Sequence, residues 1–174
     1  MKKMKTYVRT LPLVIASLLV LGSVATFAQR KFMMLRAVRP EVKVMLSAAV
    51  ERDDARVPVE KASIVKSGEV LDWTITSTND GNAPAHDYKT VGEIPAGTEF
   101  VTGSATADGG ATVTYSIDRG KTFSEKPMID QRQTDGSTKK VQAPVSMYTQ
   151  VRYEWADALE QNGKLVATYK VRLR

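Results

Sequence analysis

The chain has no cysteine among its 174 residues and a single histidine, His86. The first absence rules out disulfides, zinc–thiolate centres, iron–sulfur clusters and thiol catalysis, so burial of apolar side chains has to stabilise the fold. It also excludes a lipid-modified cysteine after the N-terminal apolar stretch. The second absence leaves any histidine metal site or Ser-His-Asp arrangement resting on His86 beside Asp87, in a segment whose turn formers suit a strand-end histidine better. Alternation of strand and helix patterns is missing too. The one helix-patterned piece is Phe32 to Ala37, before Pro40.

Excess charge is scarcer than the formal +6 suggests. Lys2, Lys3, Lys5 and Arg9 sit at the extreme N-terminus, and removing those four leaves 21 Lys and Arg against 19 Asp and Glu. A near-neutral remainder argues against nucleic acid as a partner, which calls for a concentrated basic face. Short basic groups persist at Arg30-Lys31, Arg36, Arg39 and Lys43, and at Lys170, Arg172 and Arg174. The second group reads as a solvated strand face, with a membrane-surface or polyanion contact as the minor alternative.

What is present begins with an export signal. The basic head is followed by an apolar run from Leu11 that ends among small residues, so cleavage fits after Ala28 or, equally well, after Ala25. An uncleaved anchor is the alternative, because Leu11 to Ala28 approaches the ~18–20 apolar residues of a spanning helix. The chain is accordingly divided into a signal peptide at 1–28, an N-terminal extension with a first strand at 29–56, and one domain at 57–174.

Beyond the signal the pattern is that of strands. Val42, Val44, Leu46, Ala48 and Val50 recur at every second position, as do Leu71, Trp73 and Ile75. His86 to Ile94, Thr98 to Ala105, Ala111 to Ile117 with Thr122-Phe123, Val151 to Trp155, and Leu165 to Leu173 supply the rest, separated by turn formers. The expectation is an all-β chain, an immunoglobulin-like β-sandwich of about seven strands.

Between two of these strands runs Ser116-Ile117-Asp118-Arg119-Gly120-Lys121-Thr122-Phe123. In this Ser-x-Asp-x-Gly-x-Thr-aromatic spacing Asp118 can accept hydrogen bonds from a tight turn and Gly120 can take a positive φ, which makes a hairpin clasp. The same spacing occurs once per blade in sialidase-type propellers, and one copy cannot build a propeller. Asn79, with Gly81, reads as a strand cap, and Pro95 with Gly97 as a corner between sheets.

Several of these segments, taken in order, resemble a known family. Ser67-Gly68-Glu69-Val70-Leu71-Asp72-Trp73-Thr74-Ile75, Thr78-Asn79-Asp80-Gly81-Asn82-Ala83, Ile94-Pro95-Ala96-Gly97-Thr98-Glu99-Phe100-Val101 and Val113-Thr114-Tyr115-Ser116-Ile117-Asp118-Arg119-Gly120 are similar to the blocks of the bacterial and archaeal cell-surface conserved repeat domain, domain-of-unknown-function family eleven. The resemblance covers roughly Val57 to Arg174, in a single copy. It implies an immunoglobulin-type sandwich of the kind strung in tandem on large surface proteins and adhesins.

Catalytic chemistry finds little to build on. The carboxylate pairs Asp53-Asp54 and Asp157 with Glu160 meet the numerical need of a glycosidase, and charged loops account for both. Asp53, Asp54, Asp80 and Asp108 offer loop oxygens for calcium without EF-hand spacing. Trp73, Trp155, Tyr115, Tyr153 and Tyr169 fall on strand positions and are expected in the core, which leaves Tyr88 and Tyr148 as candidate surface contacts. Val42, Val44 and Leu46 form an apolar face whose strand pairs either within its own sheet or with the sheet edge of a neighbour. The polar stretch Glu125 to Val145 is expected to be a long loop available for binding.

The sequence therefore reads as a non-enzymatic exported module of the cell surface or periplasm, structural or adhesive, without cofactor or metal. Its expected partners are other envelope proteins or itself through edge-strand pairing, with the membrane met only through the signal. A periplasmic ligand-binding or assembly-assisting protein is the alternative, and a hydrolase using loop carboxylates is a third reading.

Overall fold

A computed structural model describes residues 38–52, 55–62 and 64–174 of the chain. The expected signal peptide, the helix-patterned Phe32 to Ala37 and the pair Asp53-Asp54 lie outside the described residues. Among those described, no helix is long and apolar enough to cross a membrane.

The fold is all-β and antiparallel. Among the described residues eleven strands follow one another: β1 (Val42–Arg52), β2 (Ala55–Pro58), β3 (Val70–Asn79), β4 (Lys89–Glu93), β5 (Thr98–Phe100), β6 (Thr106–Ala107), β7 (Thr112–Ser116), β8 (Met128–Arg132), β9 (Thr138–Gln142), β10 (Gln150–Glu154) and β11 (Lys164–Leu173). A six-stranded sheet has the order β2-β1-β3-β11-β5, with β6 also on β11; a three-stranded sheet has the order β4-β10-β7; β8 and β9 pair only with each other. β1 runs beside β3 with Val42 opposite Asn79 and Val50 opposite Leu71, so the first strand is paired within its own sheet.

The period-two pattern explains which side chains share the core. Leu71 and Ile75 of β3, Ala167, Tyr169 and Val171 of β11, and Val151 and Tyr153 of β10 all point into one cluster with Val50, Ile94 and Phe100. Two tyrosines cross the layers and end on backbone. Tyr169 donates to the Glu93 carbonyl at 2.6 Å and Tyr153 to the Thr168 carbonyl at 2.7 Å. A phenol buried this deeply needs such a partner. Gly92 makes room for the first of them, because a Cβ there would run into the Tyr169 ring.

Several expectations are corrected in detail. The seven expected strands are eleven among the described residues, the additions being β2, β6 and the pair β8 and β9. The strand expected from His86 starts at Lys89, and His86-Asp87 form a turn in which Asp87 has φ 50°. Thr122-Phe123 is not a strand, the clasp closing instead through a single bridge from Tyr115 to Ser124. The stretch Glu125 to Val145 is not a loop but the β8–β9 ribbon, whose turn Gln133 to Ser137 is held by the Asp135 carboxylate accepting from Ser137.

Candidate functional site

The clasp is satisfied by its own atoms. Ser116 Oγ donates to Asp118 Oδ1 at 2.7 Å and accepts from the N–H of Gly120 at 2.8 Å. Asp118 accepts from the Thr122 N–H at 2.9 Å and from the Thr122 hydroxyl at 2.6 Å. The Thr122 hydroxyl, then its N–H and the Ser116 hydroxyl, hold the Asp118 carboxyl down at about 2. Gly120 has φ 82°, and a Cβ there would strike the Gln150 amide. Both carboxylate oxygens are engaged in shaping the turn.

Asn79 is fully buried and clasps a second junction. Its Oδ1 accepts from the N–H of Glu41 and of Gly81, both at 3.1 Å, while its Nδ2 donates to the carbonyls of Ala83 and Leu159 at 2.8 and 2.9 Å. Gly81 is required because a Cβ would meet the backbone of Arg39, Pro40 and Glu41. At the corner before β5 the Pro95 carbonyl accepts from the Thr98 hydroxyl at 2.7 Å, and Gly97 takes φ 83°.

The two tyrosines expected at the surface belong elsewhere. Tyr148 is 6 % exposed, its ring packed against Phe100 at 5.9 Å and Tyr115 at 4.9 Å, so it is a core residue. Tyr88 is half-buried, stacked on Trp155 at 5.6 Å with its hydroxyl donating to Ser77 Oγ at 2.8 Å. Asp80 pairs with Lys43 at 2.7 Å, and Asp157 and Glu160 are exposed before β11.

Val42, Val44 and Leu46 do form one face, and it divides in two. Further along the same face Ala48 and Val50 are buried, with Val59, Ala62 and Val65 packing onto the core after β2. Val44 and Leu46 are 55 % and 53 % exposed although they lie on the core side of the sheet. The cause is topological. β4 is the outermost strand of the smaller sheet, and it is tied to β3 and β11 through Tyr88–Ser77 and Tyr169–Glu93. β1 lies one strand beyond β3 and overhangs it.

The edge of β1 is open as well. β2 pairs only with Ala49–Arg52, so among the described residues Val42 to Ala48 have a strand on one side alone. The Asp80 N–H donates to the Glu41 carbonyl, which fixes the alternation along the ladder. Odd-numbered residues of β1 bond β3, and the N–H and C=O of Val42, Val44 and Leu46 point outward. Met45, on the opposite face, is 63 % exposed, a feature the alternating pattern did not single out. Edge strands are ordinarily guarded by charge, proline or a bulge. Here the middle of the edge is Val-Met-Leu.

At another end of the molecule a cleft of about 530 Å³ lies between the Glu93–Thr98 corner and the segment Ser146–Gln150, with Arg119 and Arg174 on its rim. Arg119 has φ 59° and is anchored by its N–H on Thr149 Oγ1 at 3.1 Å. Arg174 donates to the Ser146 carbonyl at 3.1 Å, and Gln150 to Glu93 at 2.6 Å. Neither the sequence pattern nor its motifs pointed to this cleft, which is assembled from four separate segments.

No family model, curated protein or solved structure matches the chain.

Proposed function

We propose that this chain is a non-enzymatic exported module of the cell surface or periplasm, built as an immunoglobulin-like sandwich and working as a structural or adhesive unit through its sheet edge. One observation carries the reading: β1 exposes Val44, Met45 and Leu46 along an edge that no described strand pairs. Apolar side chains on both faces of an open strand are what strand addition buries. The N-terminal signal pattern and the order of the surface-repeat-like blocks support the same reading.

The test is expression of the full chain in a Gram-negative host, followed by fractionation and N-terminal sequencing of the product. An envelope or periplasmic product beginning at Thr26 or Gln29 is expected. A full-length cytoplasmic product would end the export reading. The cleft with Arg119 and Arg174 favours the second reading, a periplasmic ligand-binding protein, and an array of glycans and peptides that finds an Arg119→Ala-sensitive ligand would move the function there.

A further inference from the structure

We propose that the open edge of β1 pairs with the same edge of a second copy, antiparallel, about a two-fold axis through Met45. This names the partner of the edge and rests on the reading of that edge as a contact surface. The open stretch is Val42 to Ala48, because β2 takes the next residues, and its midpoint is Met45. Symmetric pairing about that midpoint sets Val44 against Leu46 and Leu46 against Val44. These are the residues whose N–H and C=O point outward, so each such pair exchanges two backbone hydrogen bonds. A two-fold contact of this kind uses one surface twice and closes on itself.

The side chains agree with that register on both faces. Four apolar groups, Val44 and Leu46 from each copy, become neighbours on the core side where no strand of the smaller sheet covers them. The two Met45 side chains meet on the other side. A pairing shifted to place Lys43 on the axis would oppose two cations directly, and like charges opposite one another destabilise a strand pair. In the Met45 register Lys43 faces Ser47, and its charge is already matched by Asp80 at 2.7 Å.

Charges at the ends of the stretch are complementary. β2 and the partner's β1 lie in line along the same edge, so the short 3-10 turn Val59–Lys61 after β2 abuts the partner's Arg39 to Glu41. Glu60 and Lys61 on one side and Arg39 and Glu41 on the other are exposed and make no ion pair among the described residues. Each side carries one charge of each sign. Exposed rim pairs of this kind favour the correct partner and register more than they add affinity.

The absence of cysteine makes the test direct. In an antiparallel pair whose central residues do not exchange hydrogen bonds, their Cα atoms lie about 4.5 Å apart, within disulfide range. Processed, exported protein carrying Met45→Cys is expected to form a disulfide dimer under mild oxidation. Ser47→Cys alone is expected to stay monomeric on a denaturing gel, and a mixture of Ser47→Cys with Lys43→Cys to cross-link. Light scattering of the unsubstituted chain should give twice the monomer mass, with Leu46→Lys weakening the association roughly tenfold or more. Cross-linking by Ser47→Cys as efficient as by Met45→Cys would overturn the register, and a monomer at every concentration would overturn the dimer. Larger assemblies without a Met45→Cys dimer would overturn the two-fold contact yet leave the surface-module reading standing. A cytoplasmic, full-length dimer would do the reverse.

Discussion

Asp118 and Thr122 show how much of a turn one carboxylate can organise. With its pKa held at about 2, Asp118 contributes stability that is fully present above the ordinary carboxylate range and is lost as pH falls through about 2. Glu69, held at about 2 chiefly by the Arg52 guanidinium and then by the Lys66 N–H, acts in the same window. The urea midpoint of the protein is therefore expected to drop between about pH 4 and pH 2. Asp118→Asn should be less stable at neutral pH and show a shallower acid slope, and an unchanged slope would mean that the clasp does not matter to folding. The residues of this clasp were legible in the sequence because the bonds of the Asp118 carboxylate, to Ser116 and Thr122, are local. Tyr148 was not, since only the distant Phe100 and Tyr115 make its position apolar.

β1 poses a problem at the level of the element: one strand whose neighbouring residues have opposite hydrogen-bonding duties. Met45 bonds β3 opposite Thr76, whereas the Val44 N–H faces outward. Proline removes that N–H and is tolerated where it points to solvent. Met45→Pro is expected to cost about 1–3 kcal/mol by orphaning a ladder carbonyl, and Val44→Pro less than about 1 kcal/mol, as read by chemical denaturation of protein diluted to the monomer. Equal losses would refute the assigned alternation. The sequence made β1, β10 and β11 visible as period-two runs within a residue or two of their ends, and β3 over its first half. β8 and β9 escaped it because a ribbon that contributes little to the core shows no apolar alternation: Asp130, Gln131, Lys139 and Lys140 are all exposed. The overhang of β1 was invisible for a different reason, namely that it depends on how far the other sheet extends.

Across the whole molecule the two layers are joined by buried phenols. Burial raises the pKa of Tyr153 and Tyr169 well above the usual 10, and that of Tyr115 in the same direction. A group whose folded pKa is raised contributes stability below its unfolded value, and that contribution disappears as pH climbs past it. The protein is expected to lose stability above about pH 10, with these tyrosines ionising only as the strand signal in circular dichroism is lost. Ultraviolet titration followed beside circular dichroism reads both events, and phenolate formation in a still-folded chain would contradict it. Tyr169→Phe should lower the urea midpoint at neutral pH, because the Glu93 carbonyl loses its donor, and should make the alkaline fall shallower, because the side chain no longer ionises.

β11 is the last strand among the described residues and yet lies inside its sheet, flanked by β3 on one side and β5 and β6 on the other. Leu71 waits for Val171, its partner a hundred positions later. The larger sheet therefore cannot close until β11 has been made, and pairing over such separations is slow. Until then β3 lacks one of its two neighbours and the earlier strands remain an open thread. On the export reading proposed above that delay is useful, since a translocation channel passes threads and not folded domains.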